Sequence, residues 1–206
     1  MRKLLLALLV AAVVVVTATT PAWADPPTPP SASSARTSLA ALTVRAPANE
    51  SSYDRDEFRH WITQSGTCDT RETVLKRDGD GVAVDSSCQP TRGTWSSVYD
   101  GATVADSSDV DIDHMVPLSE AWQSGANAWT DARRETFAND LQHAQLLAVT
   151  ASSNRSKGDR DPAEWKPTRT AAWCLYARQW VDVKRVYGLS VDSAEKTALG
   201  TMLDRC

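Results

Sequence analysis

The spacing of apolar residues predicts two helices at the end of the chain. One helical face carries Trp173, Tyr176, Ala177, Trp180 and Tyr187. Gly188 ends this helix, and the next one begins at Asp192 to Glu195, which has the form of a capping box. The apolar face of that second helix is Ala198, Leu199, Met202 and Leu203.

Shorter elements are predicted upstream of these two helices. Helical spacing or an N-terminal cap predicts helices around 53–62, from Asp69-Thr70-Arg71-Glu72 through Leu75, at 122–139 and at 152–157. Alternating or fully apolar runs predict strands at 82–85, 94–99, 102–104, 110–116 and 146–149, with a hairpin turn at Asp100-Gly101. This mixture of short strands and separate helices indicates an α+β fold.

The start of the chain has the form of a secretory signal peptide, predicted at 1–24. A basic pair, Arg2-Lys3, precedes an apolar run from Leu4 to Val16, and Ala22-Trp23-Ala24 resembles a cleavage site. The apolar run is too short for a membrane anchor, which needs about 20 residues. We therefore expect a secreted, extracellular protein that has no membrane partner after cleavage.

Composition divides the remaining chain into two parts. Residues 25–46 are rich in Pro, Ser, Thr and Ala and are predicted to be a disordered linker. Residues 47–206 have the length of one domain with its own core, and we expect a monomer. Removal of the signal peptide takes Arg2 and Lys3 away and changes the formal charge from −4 to −6. Such an acidic chain does not bind nucleic acid through bulk attraction, although local positive charge at a site is still compatible with a hydrolase.

An even number of cysteines in an exported chain predicts disulfides rather than free thiols. Zinc ligation is the alternative, but the sequence contains no C-x-x-C pair. If the two terminal helices are antiparallel, the start of the first lies beside the end of the second. We therefore predict the pairs Cys68–Cys88 and Cys174–Cys206.

The residues with the clearest chemistry lie at the end of the predicted strand 110–116. Asp113 and His114 follow an apolar run, and Asn154 opens the short predicted helix further on. A carboxylate and an amide are hard oxygen ligands for a divalent ion, and a histidine with a pKa near ~6.5 can take a proton from water. Neighbouring strand residues point to opposite faces, so we expect a bend or bulge here, made plausible by Pro117. This set of groups suits the hydrolysis of a phosphodiester.

The motifs around these residues resemble the HNH endonucleases, and more narrowly the family that contains the C-terminal nuclease domain of the GmrSD restriction enzymes, many of whose bacterial members are secreted. The similarity spans most of 53–167. It is carried by Phe58-Arg59-His60-Trp61, Cys68-Asp69-Thr70-Arg71, Gly93-Thr94-Trp95, Asp111 to Leu118, Phe137-Ala138-Asn139-Asp140, Asn154 to Asp159 and Glu164-Trp165-Lys166-Pro167. The resemblance implies a ββα-metal (His-Me finger) core in which a small antiparallel sheet is wrapped by helices.

The resemblance also implies roles for individual residues. His114 matches the general base, while Asp113 and Asn154 match the metal ligands. One divalent ion is implied, Mg²⁺ in the first place, with Mn²⁺ or Zn²⁺ as alternatives. The middle signature position is usually Asn but is Gln145 here, and its usual task is to tie the loop so that the base points correctly. Asn139 and His143 are the alternatives for that task.

Five further polar residues are assigned by their places in the motifs. We expect Arg71 to assist catalysis, and Lys157 and Arg160 to bind the phosphates of the substrate, with solvated surface charge as the alternative for each. Asp111 shares a strand face with the predicted metal ligand and is a candidate supporting residue. Asp69 is also a candidate for such a role, although its position favours a helix cap.

The sequence thus predicts a secreted, metal-dependent endonuclease that cuts DNA, and RNA as a further substrate, with little sequence specificity. Two alternatives remain open at this point. One is a binding module that keeps the fold and lacks catalysis. The other is a hydrolase of another phosphodiester.

Overall fold

A computed structural model describes residues 26–206 of the chain. The predicted signal peptide at 1–24 therefore lies outside the described residues. The helices are α1 (Ala32–Ala41), α2 (Thr70–Asp78), α3 (Leu118–Gln123), α4 (Asp131–Ala138), α5 (Ala151–Lys157), α6 (Trp173–Tyr187) and α7 (Ser193–Leu203). The strands are β1 (Thr63–Ser65), β2 (Cys68–Asp69), β3 (Asp80–Val84), β4 (Pro90–Ser96), β5 (Thr103–Val104), β6 (Val110–His114) and β7 (Leu146–Thr150). The predicted α+β fold is confirmed.

The strands form small antiparallel sheets. β1 pairs with β2, β3, β4 and β5 pair in that order, and β6 pairs with β7. The turn at Asp100-Gly101 joins β4 to β5, as predicted. β6 and β7 are separated in sequence by α3 and α4, and α5 begins directly after β7. β6, β7 and α5 thus form a ββα unit, with the other helices around it.

The two faces of β6 meet different surroundings because side chains alternate along a strand. Val110 and Ile112 pack into a small core with α2 and β4, which includes Val74 and Trp95. Asp111 and Asp113 point to the other face, toward α5. A larger core lies between α1, α3, α6 and α7 and includes Trp180.

The segment 25–46, predicted to be a disordered linker, contains a helix that the prediction missed. Residues Ala32–Ala41 form α1, which Ser31 caps by accepting from the amide of Ser34. Ala35 and Leu39 are buried against α6 and α7. The composition that suggests disorder also contains helix-forming Ala and Leu, and a surface on the two terminal helices provides the contacts that order the segment.

Two predicted helices differ in the structure. The segment 53–62 contains one short 3₁₀ turn (Arg55–Glu57) instead of an α-helix, although Phe58 is fully buried as its apolar character suggests. The predicted helix at 122–139 is divided into α3 and α4. Gly125, with φ of 135°, lies between them, and Thr130 caps α4 by accepting from the amide of Arg133.

The end of the chain follows the prediction closely. α6 ends at Gly188, which has a left-handed conformation, and α7 begins at a capping box formed by Asp192 and Glu195. Both predicted disulfides are present, Cys68–Cys88 and Cys174–Cys206, and the second joins the start of α6 to the end of α7. Within residues 26–206, none of the helices has the length and apolar character needed to span a membrane.

Candidate active site

A cavity of about 180 Å³ lies at the end of β6, where the chain turns toward α3. It brings together residues from three separate parts of the chain. Its lining includes Asp113, His114, Asn154, Arg55, Arg155 and Asp159. The three residues that the sequence assigned to base and metal binding therefore border one cavity, although forty positions separate His114 from Asn154.

The bulge expected beside Asp113 is absent. β6 and β7 keep a continuous register from Val110↔Thr150 to His114↔Leu146. The Asp113 and His114 side chains therefore point to opposite faces, as in any regular strand. Both still border the cavity because β6 ends at His114 and the cavity lies beyond this end.

Asp113 is buried, and its carboxylate is held by two side chains. Lys157 Nζ donates to Oδ1 at 2.7 Å and to Oδ2 at 2.9 Å, and the Tyr99 hydroxyl donates to Oδ2 at 2.5 Å. Burial raises the pKa of Asp113, while the ammonium of Lys157 and the hydroxyl of Tyr99 oppose the shift. The orientation of this carboxylate is consequently set before any ligand binds.

Lys157 cannot bind substrate phosphate as predicted. Its side chain is 0% exposed, and Nζ also donates to the carbonyl oxygen of His114 at 2.7 Å. With three acceptors in place, all the donors of the ammonium group are used. The sequence analysis identified Lys157 as a cation of the motif. Its side chain, however, lies in the last turn of α5 and points inward beneath β6.

His114 is held as a neutral imidazole with one free nitrogen. Nε2 lies 2.9 Å from the carbonyl oxygen of Ala138, which can only accept, so Nε2 carries a proton. Burial lowers the pKa of His114 to about 3, and the positive charge of Arg55 and the neighbouring His60 add to the shift. The ring is therefore neutral, and Nδ1 has its lone pair available to accept a proton.

Gln145 ties the loop that follows His114. Its Oε1 accepts from the amide of Val116 at 3.1 Å, and its Nε2 donates to the carbonyl of Val116 at 2.9 Å. Of the two alternatives for this task, Asn139 bonds to a different segment and His143 bonds to Asp140. Gln145, at the middle position of the signature, therefore makes the contacts that tie the loop.

Asn154 and Asp111 lie next to each other on the outer side of the cavity. Asn154 Nδ2 donates to Asp111 Oδ2 at 3.1 Å, which directs Asn154 Oδ1 away from the carboxylate. No described residue donates a hydrogen bond to Asn154 Oδ1. Asp111 also lies 3.5 Å from Arg155 Nε. Asp111 therefore orients the amide and does not itself line the cavity.

The donors fit a hard divalent ion. Asn154 Oδ1 is free, and Asp113 Oδ1 receives only one hydrogen bond, which leaves a lone pair. An ion held by one carboxylate and one amide oxygen keeps open positions for water and phosphate, a mode typical of Mg²⁺. Among residues 26–206, no group of three or more His, Cys, Asp and Glu side chains could hold a metal ion.

The remaining predicted site residues have structural contacts. Arg71 lies outside the cavity, where its guanidinium donates to the carbonyls of Ser107 and Val110. Arg160 also lies outside the cavity lining, and its guanidinium donates to the carbonyls of Ser156 and Lys157 at the end of α5. Asp69 caps α2 and forms a capping box with Glu72.

The sequence interpretation missed two cations and a buried hydroxyl at the site. Arg55 and Arg155 are exposed and line the cavity. Arg155 directly follows Asn154, and this position offered a signal for its location. Arg55 and Tyr99 offered none, because their approach to Asp113 and His114 depends on the tertiary fold.

A larger cavity of about 400 Å³ lies on another part of the surface, beside Asp140 and His143. The ring of His143 is 2.8 Å from Asp140 Oδ2, and the Tyr187 hydroxyl donates to the same oxygen. This cavity contains none of the residues that border the one at β6. Its size alone does not make it the functional site, because the predicted base and metal ligands border the cavity at β6.

Comparison with known proteins yields one family and one curated relative. Residues 80–202 match the family described as the C-terminal domain of GmrSD restriction endonucleases. An "Uncharacterized secreted protein" from Arthroderma benhamiae is 58% identical over 181 residues, which cover 88% of this chain and 89% of the relative. No solved structure matches the chain. The secretion predicted from the sequence agrees with the name of this relative and with the two disulfides.

Proposed function

Because this chain belongs to the family of the C-terminal domain of GmrSD restriction endonucleases, we propose that it is a metal-dependent endonuclease that hydrolyses phosphodiester bonds. Membership of this family supports nuclease activity in general. The finer statements, namely the residues, the metal and the substrate, are proposals that rest on the chemistry of the cavity at β6.

The observation that carries the proposal is the state of His114. It is buried, neutral and bonded through Nε2 to a carbonyl, and it borders the same cavity as two oxygen ligands. A structural histidine has no need for a free nitrogen beside such groups. In the proposed reaction, Nδ1 of His114 takes the proton of a water molecule that attacks the phosphorus atom, and the bond from phosphorus to the leaving oxygen breaks.

Asp113 and Asn154 would hold one divalent ion, and we propose Mg²⁺. When bound, the ion would supply positive charge for the phosphate oxygens and the leaving oxygen. Tyr99 and Lys157 fix the carboxylate of Asp113, while Asp111 fixes the amide of Asn154. These contacts place both oxygens without reorganisation when the substrate arrives, which is an electrostatic advantage in catalysis.

Arg55 and Arg155 are the cations that we assign to the substrate. Both are exposed at the cavity, and among the described residues Arg155 forms an ion pair with Asp111 alone, at 3.5 Å. Guanidinium groups bind phosphate oxygens in a planar, bidentate manner. The acidic Asp159 on the same lining limits the local positive charge. Contacts to the sugar-phosphate backbone of a nucleic acid carry no sequence information, so we propose cleavage with little sequence specificity.

We further propose that the substrate is DNA outside the cell, with RNA as a second substrate. The relative from Arthroderma benhamiae is named a secreted protein. This name and the two disulfides of the chain support an extracellular location. A net charge of −6 for the mature chain makes bulk attraction to nucleic acid weak, so binding would depend on the cavity.

Plasmid cleavage by the purified protein tests the proposal. We expect nicking in the presence of Mg²⁺ and none with EDTA. His114→Ala is expected to lower kcat by about 10²-fold or more because the general base is lost. His143→Ala is the matched control, since that ring borders a different cavity.

The same assay shows how the proposal fails. Absence of nicking with Mg²⁺, Mn²⁺ and Zn²⁺ would indicate a module without catalysis. Cleavage of small phosphodiesters without cleavage of DNA or RNA would indicate a different hydrolase. Equal rates for His114→Ala and wild type would remove His114 from the reaction.

A further inference from the structure

Trp61 has a backbone conformation that residues with side chains rarely adopt. Its φ is 59°, in the left-handed region. For a bulky aromatic residue this is an outlier, and it persists only where the surrounding structure imposes it. Such residues are concentrated at functional sites, so the contacts that hold Trp61 indicate what the conformation is for.

Asn139 holds the chain on both sides of Trp61. Its Nδ2 donates to the carbonyl of Arg59 at 2.8 Å, and its Oδ1 accepts from the amide of Ile62 at 3.2 Å. Thr70 adds to this arrangement because its amide donates to the carbonyl of Ile62 at 3.0 Å and its hydroxyl lies 2.7 Å from Asn139 Oδ1. Asn139 and Thr70 are both buried, so tertiary contacts impose the conformation.

The conformation brings the Trp61 ring against His114. The ring centroids are 5.5 Å apart with planes inclined by 33°. His60 meets both rings edge-on, at 5.4 Å from Trp61 and 6.5 Å from His114. Ala138, which accepts from His114 Nε2, immediately precedes Asn139. A two-residue segment at the end of α4 therefore holds both the imidazole and the tryptophan that packs on it.

An imidazole used as a base needs this kind of support. The χ2 torsion of histidine has a broad, nearly two-fold profile, so the ring can turn over at little cost, which exchanges Nδ1 with Cδ2 and Nε2 with Cε1. After such a turn, one carbon faces the carbonyl of Ala138 and another takes the place of Nδ1, so the base is lost. A large ring against one face of the imidazole restricts its rotation.

We propose that Trp61 is a positioning residue that keeps His114 in the orientation with Nε2 on Ala138 and Nδ1 free. This inference rests on the proposed function, in which Nδ1 is the base. Trp61 lies before the region 80–202 that matches the family, so the match assigns it no role. The residue acts through His114 and needs no contact with substrate.

Two substitutions at this position separate the ring from the backbone. In Trp61→Gly the backbone keeps its left-handed conformation without strain, while the ring is lost. Trp61→Phe keeps an aromatic ring. We expect kcat of the Gly variant to fall by about tenfold to a hundredfold, because the base is misplaced, with KM changed by less than about twofold. The Phe variant should recover most of kcat.

Nitrogen-15 NMR of the histidine rings tests the positioning without any assay of activity. The chain contains three histidines, His60, His114 and His143, so the ring signals are few. In wild type we expect one set of His114 signals with the proton on Nε2. In Trp61→Gly these signals should broaden or double, and those of His143 should stay unchanged because it lies at the other cavity.

The outcomes distinguish the inference from the proposed function. An inactive wild type would overturn the nuclease, while the NMR measurement would still decide whether Trp61 holds the ring. Wild-type kcat in Trp61→Gly would overturn the positioning role. A single, sharp His114 signal at the wild-type shift in that variant would overturn it equally. All activities are compared at a temperature where thermal melts show each variant folded.

Discussion

At the scale of single residues, burial decides what Lys157 does. Its ammonium is fully enclosed and donates to Asp113 and to the carbonyl of His114. Replacing Lys157 with Met leaves the carboxylate buried without its cation, which costs about 3–5 kcal/mol of unfolding free energy. Urea denaturation measures this loss.

Lys166→Met is the control, since that side chain is partly exposed over Trp173 and its removal should cost at most about 1 kcal/mol. Equal stability of wild type and Lys157→Met would contradict the ion pair.

The same residue marks what the sequence can and cannot predict about the site. That Asp113, His114 and Asn154 lie close together was predictable, because their motifs resemble a ββα-metal unit and the structure has all three lining one cavity. The exchange of roles between Lys157 and Arg155 was not predictable. Both are cations in the last turns of α5, and only the packing of that helix on β6 decides that one is buried and the other exposed.

At the scale of elements, local signals were reliable where the backbone itself needs them. Asp69 and Asp192 cap α2 and α7 as predicted, because a side chain must accept from the free amides at a helix start. In the segment 53–62, Asp54 caps only a short 3₁₀ turn, and the apolar residues indicated burial rather than conformation. Phe58 is fully buried directly after this turn.

α1 is an element whose existence depends on its partners. Its hydrogen bonds to the rest of the domain include donation from Arg178 to the carbonyls of Pro29 and Pro30, just before the helix. Leu39 is its largest buried side chain. We expect Leu39→Ala to lower the unfolding free energy by about 2 kcal/mol, because a buried leucine is lost at a site that can partly collapse.

Thermal or urea unfolding of Leu39→Ala checks this contribution. Thr37→Ala, at an exposed position of the same helix, serves as the control and should change stability by less than about 0.5 kcal/mol. If α1 did not pack on α6 and α7, both variants would behave alike. Rapid proteolytic cleavage within 32–41 of the native protein would also contradict the packing.

At the scale of the whole molecule, one buried cluster joins three helices and couples stability to pH. Lys184 of α6 donates to Glu120 of α3 at 2.5 Å and lies 3.0 Å from Glu195 of α7. One ammonium faces two carboxylates, so the cluster is neutral only when it retains one proton. Burial raises the pKa of Glu195 to about 7, with the charge of Glu120 adding to the effect and that of Lys184 opposing it.

The sign of the pH dependence follows from this shift. Below about pH 4.5, the ordinary pKa of Glu, both the folded and the unfolded chain hold the proton of Glu195, and its protonated form contributes fully to stability. Between about 4.5 and 7 the folded protein still holds the proton that the unfolded chain has released. Unfolding free energy therefore falls as pH rises through this window, by at most about 3 kcal/mol from this group.

Glu195→Gln isolates this contribution because glutamine keeps the capping box of α7 and cannot ionise. Other groups also titrate in the window, including His114, so the informative quantity is the difference between the wild-type and Glu195→Gln unfolding free energies at each pH. This difference should be small near pH 4.5 and should grow in favour of the variant up to about pH 7, after which it should be constant.

Glu50→Gln, at an exposed position, should give a flat difference. A flat difference for Glu195→Gln as well would mean that Glu195 ionises in the folded protein as it does in the unfolded chain.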